Sequence, residues 1–175
     1  MSTPAPEEKY AVRKGMSPWL LLLGLVGALG CMGGAILIPI LKSQGESVGT
    51  QSCLSNLHSL ARASILYTTE NDDLFPGKGW DDSLLRQEPD EVRYACPVQR
   101  RMDPKSSGYA LSQRVAGKPM AKVIEPKSEV LFFESKVTEP GAVDDPSNVS
   151  QPPRHRSGTV STVVYVDGHS AEVKK

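Results

Sequence analysis

The sequence predicts an α+β protein: an N-terminal transmembrane helix, then a domain in which one amphipathic helix packs on an antiparallel sheet. An uncharged run extends from Pro18 to Leu41, and apolar residues recur at helical spacing soon after it. Short runs of β-forming residues fill the C-terminal half, with an Asp-Gly pair between the last two. One helix followed by consecutive strands is the order of an α+β domain.

The Pro18 to Leu41 run would make a helix of roughly 36 Å, against a hydrocarbon core about 30 Å thick. Lys9, Arg13 and Lys14 precede it, and Lys42 alone follows closely. That asymmetry predicts a cytoplasmic tail over 1–17, a span over 18–41 and an extracytoplasmic remainder. The implied topology is a single membrane crossing with the N-terminus cytoplasmic. A cleaved signal would end its apolar stretch sooner, and a lipoprotein signal would use Cys31 after Ala28-Leu29-Gly30. Neither accounts for the further apolar residues Ala35-Ile36-Leu37-Ile38. Gly30 and Gly34 have the small-xxx-small spacing that lets membrane helices approach, so self-association is one expectation.

Residues 42–50 read as a linker and residues 51–175 as one domain, long enough for a single core. The chain balances 20 basic against 20 acidic residues. No basic stripe interleaves with aromatics, so nucleic acid is not an expected partner. Cys53 and Cys96 lie beyond the span, where a disulfide can persist. Bonding them would stabilise the fold by roughly 4 kcal/mol on the chain-entropy model. Two free thiols packed as small hydrophobes is the alternative.

Leu54, Leu57, Ala61, Ile65 and Thr68 follow three- and four-residue steps, with Leu60 and Tyr67 at the edges. They predict a helix from about Ser52 to Glu70, capped by Thr50 or Ser52 and ended by Asn71-Asp72-Asp73. The stretch from Gly77 to Lys105 reads as loop with a short helical piece around Asp81 to Arg86. Strands are predicted at Tyr109-Ala110-Leu111, Lys122-Val123-Ile124 and Val130-Leu131-Phe132-Phe133, the last apolar on both faces. A polar loop from Val137 to Pro153 precedes a strand from Thr159 to Val166. Asp167-Gly168 then predicts a hairpin with positive φ at both central residues, leading into His169 to Val173.

Several segments, in order, carry a resemblance. They are Cys53-Leu54-Ser55-Asn56-Leu57, Glu70-Asn71-Asp72, Phe75-Pro76, Trp80, Cys96-Pro97, Ser107-Gly108-Tyr109-Ala110-Leu111, Glu125 to Leu131 leading to Glu134, Arg154-His155 and Val166-Asp167-Gly168-His169. From Gln51 onward the chain resembles bacterial prepilin-type and pseudopilin-like proteins whose C-terminal motif is His, about nine residues, then Asp-Gly. The resemblance implies a pilin-like fold and a structural or interaction role among envelope or secretion-system proteins. Eleven residues separate His155 from Asp167 here. The junction Arg13-Lys14-Gly15-Met16-Ser17-Pro18-Trp19 lacks the Phe and the helix Glu of a prepilin cleavage site. The apolar run therefore reads as a permanent anchor.

For chemistry, His155, Asp167 and His169 are the candidate metal ligands, two imidazoles and a carboxylate of the kind that hold zinc with an open position. They would also serve a tethered metal-dependent hydrolase, the main alternative to a non-enzymatic role; a ligand-binding lipoprotein is the other. Glu70-Asn71-Asp72-Asp73, and Asp144-Asp145 with Ser147 and Asn148, are oxygen-rich enough to suggest calcium but lack a regular calcium-loop spacing. No phosphate loop or Cys-x-x-Cys pair appears, and no cofactor is called for. His58 reads as a surface residue, and Asn148-Val149-Ser150 matches the glycosylation triplet.

Overall fold

The computed structural model describes residue 19 and residues 48–150, 153–156 and 158–174. The predicted span at 18–41 lies outside them apart from Trp19, as do the tail and the small-residue pair. Among the described residues no helix is long and apolar enough to cross a membrane. The chain divides into two units, Met1–Leu41 and Lys42–Lys175, and the helix and sheet belong to the second.

Helix α1 is described over 48–70. The predicted linker over 42–50 is thus helical in its last three residues, and Thr50 is buried rather than a cap. Close packing explains this. A Cβ on Gly49 would lie 3.3 Å from Val98 Cγ2, a tight contact, and 3.8 Å from His155 Nδ1, an ordinary one, so this part of the helix packs against both and glycine eases the approach to Val98. The buried stripe of α1 runs through Cys53, Leu57, Leu60, Ala61, Ser64 and Thr68. It is rotated slightly from the predicted one, since Leu54 is half-buried, and His58 is exposed as expected. Small residues on this stripe bring the helix close to the sheet.

Five strands form one sheet: β1 Tyr109–Ser112, β2 Val130–Glu134, β3 Val143–Asp144, β4 Val160–Tyr165 and β5 Ser170–Lys174. Their order is β3-β1-β2-β4-β5. Neighbours are antiparallel except β1 and β3, where Leu111 faces Val143 in parallel register. The sheet is therefore mixed, not antiparallel throughout as predicted. The chain leaving β2 crosses beyond β1 and returns along its outer edge. There Ala142 and Asp144 carbonyls accept from Leu111 and Gln113 N–H, at 3.0 and 2.9 Å. Those two donors would otherwise face solvent or lie unpaired.

The predicted strand Lys122-Val123-Ile124 is absent. Met120–Lys122 is a 3-10 turn, and Ile124 is 93% exposed. Direct pairing of β1 with β2 leaves no place for a strand between them. Beyond the predicted helical piece, observed as α2 Trp80–Leu84, a second short helix, α3 Pro97–Met102, forms with proline at its start.

Both faces of β2 are covered, as its apolar sequence predicts. A bulge between Val130 and Phe132 turns Leu131 and Phe132 together into the core beneath α1. Phe133 packs on the other side with Ala110, Ala142, Val149 and Val163. The Asp-Gly hairpin forms, but only Gly168 has positive φ, at 88°. Tyr165 N–H bonds His169 O at 2.9 Å, closing a three-residue loop instead of the predicted two-residue one. Within this loop Asp167 Oδ1 accepts the His169 N–H at 3.1 Å.

Trp80 anchors the long connections to the core. Its indole N–H donates to Ala142 O at 2.8 Å, and its ring meets Phe132 edge-on at 4.8 Å and stacks near Tyr94 at 6.0 Å. The chain passes over α2 at Gly141, whose φ is 65° and whose missing Cβ would strike Asp81 and the Gly79 backbone. Gly141→Ala should therefore destabilise by about 1–3 kcal/mol. Denaturant midpoints check it; an unchanged midpoint would show that α2 moves aside freely.

Candidate functional site

Four segments distant in sequence bring thiol, carboxylate and imidazole groups together inside the domain. Cys53 comes from the buried stripe of α1, and Cys96 from the residue capping α3. Glu134 ends β2, and His155 bridges Val160 at the head of β4. All four are buried, and their ligand atoms lie within 4.8 Å of one another. Local sequence explains each position. Glu134 is the even partner of Phe132 on the α1 face, while the turn closed by Thr159 and Val160 N–H on His155 O aims the imidazole at it.

The groups are already bonded. Cys53 Sγ lies 2.8 Å from Cys96 Sγ, and both are free thiols. Cys96 Sγ lies 3.2 Å from Glu134 Oε1, and His155 Nε2 lies 2.8 Å from the same oxygen. The second oxygen, Oε2, accepts the Thr162 N–H at 2.7 Å. Beside these bonds, His155 Nδ1 and Thr162 Oγ1 have no hydrogen-bond partner among the described residues.

Burial penalises the Glu134 carboxylate, but the bond and charge of His155, with Thr162 N–H and Cys96, hold it below its ordinary value. Burial would lower the His155 imidazolium; contacts with Cys96 and Glu134 outweigh that and push it up to about 9. Cys96 is the more acidic thiol because Cys53 donates to it, and the same bond together with burial pushes Cys53 up. Cys96 Sγ in turn lies within hydrogen-bond distance of the Glu134 carboxylate, at 3.2 Å.

A pH dependence is expected of the ion-free domain. His155 binds its proton more tightly folded than unfolded, so its contribution is full below about 6.5 and is lost as pH rises through about 9. Glu134 behaves oppositely: its contribution is present above about 4.5 and lost as pH falls through the depressed folded value. Cys96, held below its ordinary value, contributes with the opposite sign over the same alkaline range. The His155 contribution is therefore read from the difference in denaturant midpoint between wild type and His155→Gln, which should shrink from about pH 7 to about pH 10. A difference that does not change with pH would count against the charged pair.

The residues predicted as metal ligands do not converge. His155 stands at the head of β4 and Asp167 with His169 at its far end. Six residues of strand at about 3.3 Å each put roughly 20 Å between the ends. His169 is exposed, stacks on Tyr165 at 4.2 Å and bonds Asp167 Oδ1 at 2.5 Å, which makes that pair part of the hairpin. Cys53 and Cys96 do meet, as the disulfide expectation required, but as thiols beside Glu134 and His155. The sequence reading leaves out the carboxylate partner. Its signal is a Glu closing a wholly apolar strand, where a buried charge needs a partner.

The candidate calcium loops are occupied by the protein itself. Asp144 accepts from Ser135, Asp145 N–H and Asn148, and Asp145 accepts from Ser147 N–H and Gln113. Glu70 bonds Gln87 and pairs with Arg86, and Asp72 and Asp73 form the left-handed turn after α1. Asn148 Nδ2 is likewise used, on Asp144, and Ser150 is buried. A surface cleft lined by Asp81, Leu85, Tyr94, Arg100, Ser107 and Pro140 touches none of the four clustered residues. Comparison with family models, curated proteins and solved structures gives no match.

Proposed function

We propose that the chain is a membrane-anchored envelope protein of pilin or pseudopilin type, whose extracytoplasmic domain works by association with other proteins and not by catalysis. The observation that carries this reading is the order and packing of its elements. An uncharged run precedes, within a few residues, a helix whose entire buried stripe lies on one face of a five-stranded sheet. Support also comes from the closure of the polar cluster. Groups with no exposed surface hold elements together; they do not meet a substrate.

The order of segments from Cys53-Leu54-Ser55-Asn56-Leu57 to Asp167-Gly168 supports the same assignment. Self-association through the anchor and contacts from the exposed domain surface are the means proposed. External protease on spheroplasts is expected to digest the domain and spare the tail. With Cys31 replaced by Ser, a Val48→Cys variant, exposed at the head of α1, is expected to form an intermolecular disulfide that Gly30→Leu with Gly34→Leu reduces. A domain protected from external protease, or a mature chain starting at an acylated Cys31, would overturn the reading.

A further inference from the structure

We propose that Cys53, Cys96, Glu134 and His155 form a closed four-ligand site for a zinc-class divalent cation. Nothing in the pilin-type assignment requires it, and it stands on separate observations. The donor set is two sulfurs, one imidazole nitrogen and one carboxylate oxygen, each a zinc ligand. Borderline and soft donors of this mixture disfavour calcium and magnesium, which take oxygen alone. Each donor comes from a different element, so their meeting within 4.8 Å is a product of tertiary folding and not of local chain geometry.

Zinc bond lengths of about 2.0 to 2.3 Å put tetrahedral ligand atoms roughly 3.3–3.8 Å apart. The bonded pairs, at 2.8 and 3.2 Å, are shorter, and the widest separations, up to 4.8 Å, are longer, so an ion enters by moving bonded side chains apart and the widest pairs together, each by up to about 1 Å. Binding releases three protons from the charged-pair state: one from each thiol and one from the His155 imidazolium at Nε2. The products are two thiolates, a neutral imidazole and the carboxylate, three negative charges around a double positive one. Hydrogen bonding leaves this cluster incompletely satisfied, since His155 Nδ1 has no partner among the described residues. Four protein ligands and complete burial leave no position for water, which makes the site structural.

In any oxidising compartment the same ion would hold Cys53 and Cys96 as thiolates where they would otherwise oxidise together. Metal and disulfide are exclusive outcomes at these two sulfurs, so metal content and thiol state must change together.

The test uses the full chain, extracted in detergent without added chelator, and then stripped and titrated with Zn²⁺ or Co²⁺ alone. One zinc per chain is expected by elemental analysis, with all thiols recovered as free after stripping under denaturant. Cobalt should give the intense visible bands of a tetrahedral centre and a thiolate-to-metal charge-transfer band. Cys96→Ser and His155→Gln should weaken binding at least about 100-fold, while Asp167→Asn with His169→Gln leaves it unchanged. The cobalt spectrum needs no variant, so it reads the ligands even if a substituted chain does not fold. A metal-free extract containing a Cys53–Cys96 disulfide, a wild-type chain that takes up no metal after reduction, or a cobalt spectrum without thiolate charge transfer would each overturn the site.

Discussion

Glu134→Ala is expected to cost the ion-free domain about 3–5 kcal/mol, a large share of the stability a domain of this size commands. The carboxylate takes His155 Nε2 at 2.8 Å, Cys96 Sγ at 3.2 Å and Thr162 N–H at 2.7 Å. Truncation leaves all three without their acceptor in the buried interior. It also strands an imidazole that the carboxylate had held protonated. Much of the loss therefore reflects abandoned partners and not the intrinsic worth of the pair. A double substitution, Glu134→Leu with His155→Leu, should recover most of it, because replacing both members of a buried pair by apolar groups is often neutral. Denaturant unfolding of the chelator-treated protein measures both. If the double variant is as unstable as the single one, the cluster's main contribution is packing and not charge.

Trp80→Ala should cost about 3–5 kcal/mol, as emptying a large aromatic site usually does. The residue is fully buried and touches three things at once: Phe132 of β2, Tyr94 shortly before α3, and the Ala142 carbonyl. Trp80→Phe separates the contributions. It keeps most of the ring contact and removes the indole N–H, so its loss should be near about 1 kcal/mol from the bond plus a smaller packing cost. Because Ala142 also pairs with Leu111 N–H at 3.0 Å, loosening Trp80 should speed amide exchange along β3. Exchange rates confined to wild-type values there would show that β3 is held by β1 alone.

Local pattern carried the elements that are amphipathic or wholly apolar along their own length. The three- and four-residue spacing from Leu57 to Thr68 made α1 readable, and the unbroken Val130 to Phe133 run announced a strand covered twice. The Asp-Gly pair locates the hairpin, although the loop is one residue longer than the pair alone predicts. What escaped depended on distant partners. Val143-Asp144 is too short to have a period, and it becomes a strand only because β1 has donors to satisfy. Lys122-Val123-Ile124 had the right residue types, but the space beside β1 belonged to β2. The cluster was half legible. Cys53, Cys96 and His155 each stand out in the sequence, but separately, and residue type and proximity link His155 to Asp167 and His169 instead. Sequence proximity placed these three on one strand, and a strand keeps its two ends apart.

β4 acts as a ruler between His155 and the Asp-Gly turn. His155 must reach inward to Glu134 at one end, and the turn must return the chain as β5 at the other. Residues along the ruler alternate between the α1 face, with Thr162 and Val164, and the opposite face, with Val163 and Tyr165. Lengthening it by two residues adds one full repeat and leaves every inward side chain inward, whereas a change of one exchanges the faces. Six of the eleven residues between His155 and Asp167 belong to the strand. Parity, more than length, is what the strand demands of this spacing, and single-residue insertions into Val160–Tyr165 should be the ones the fold rejects.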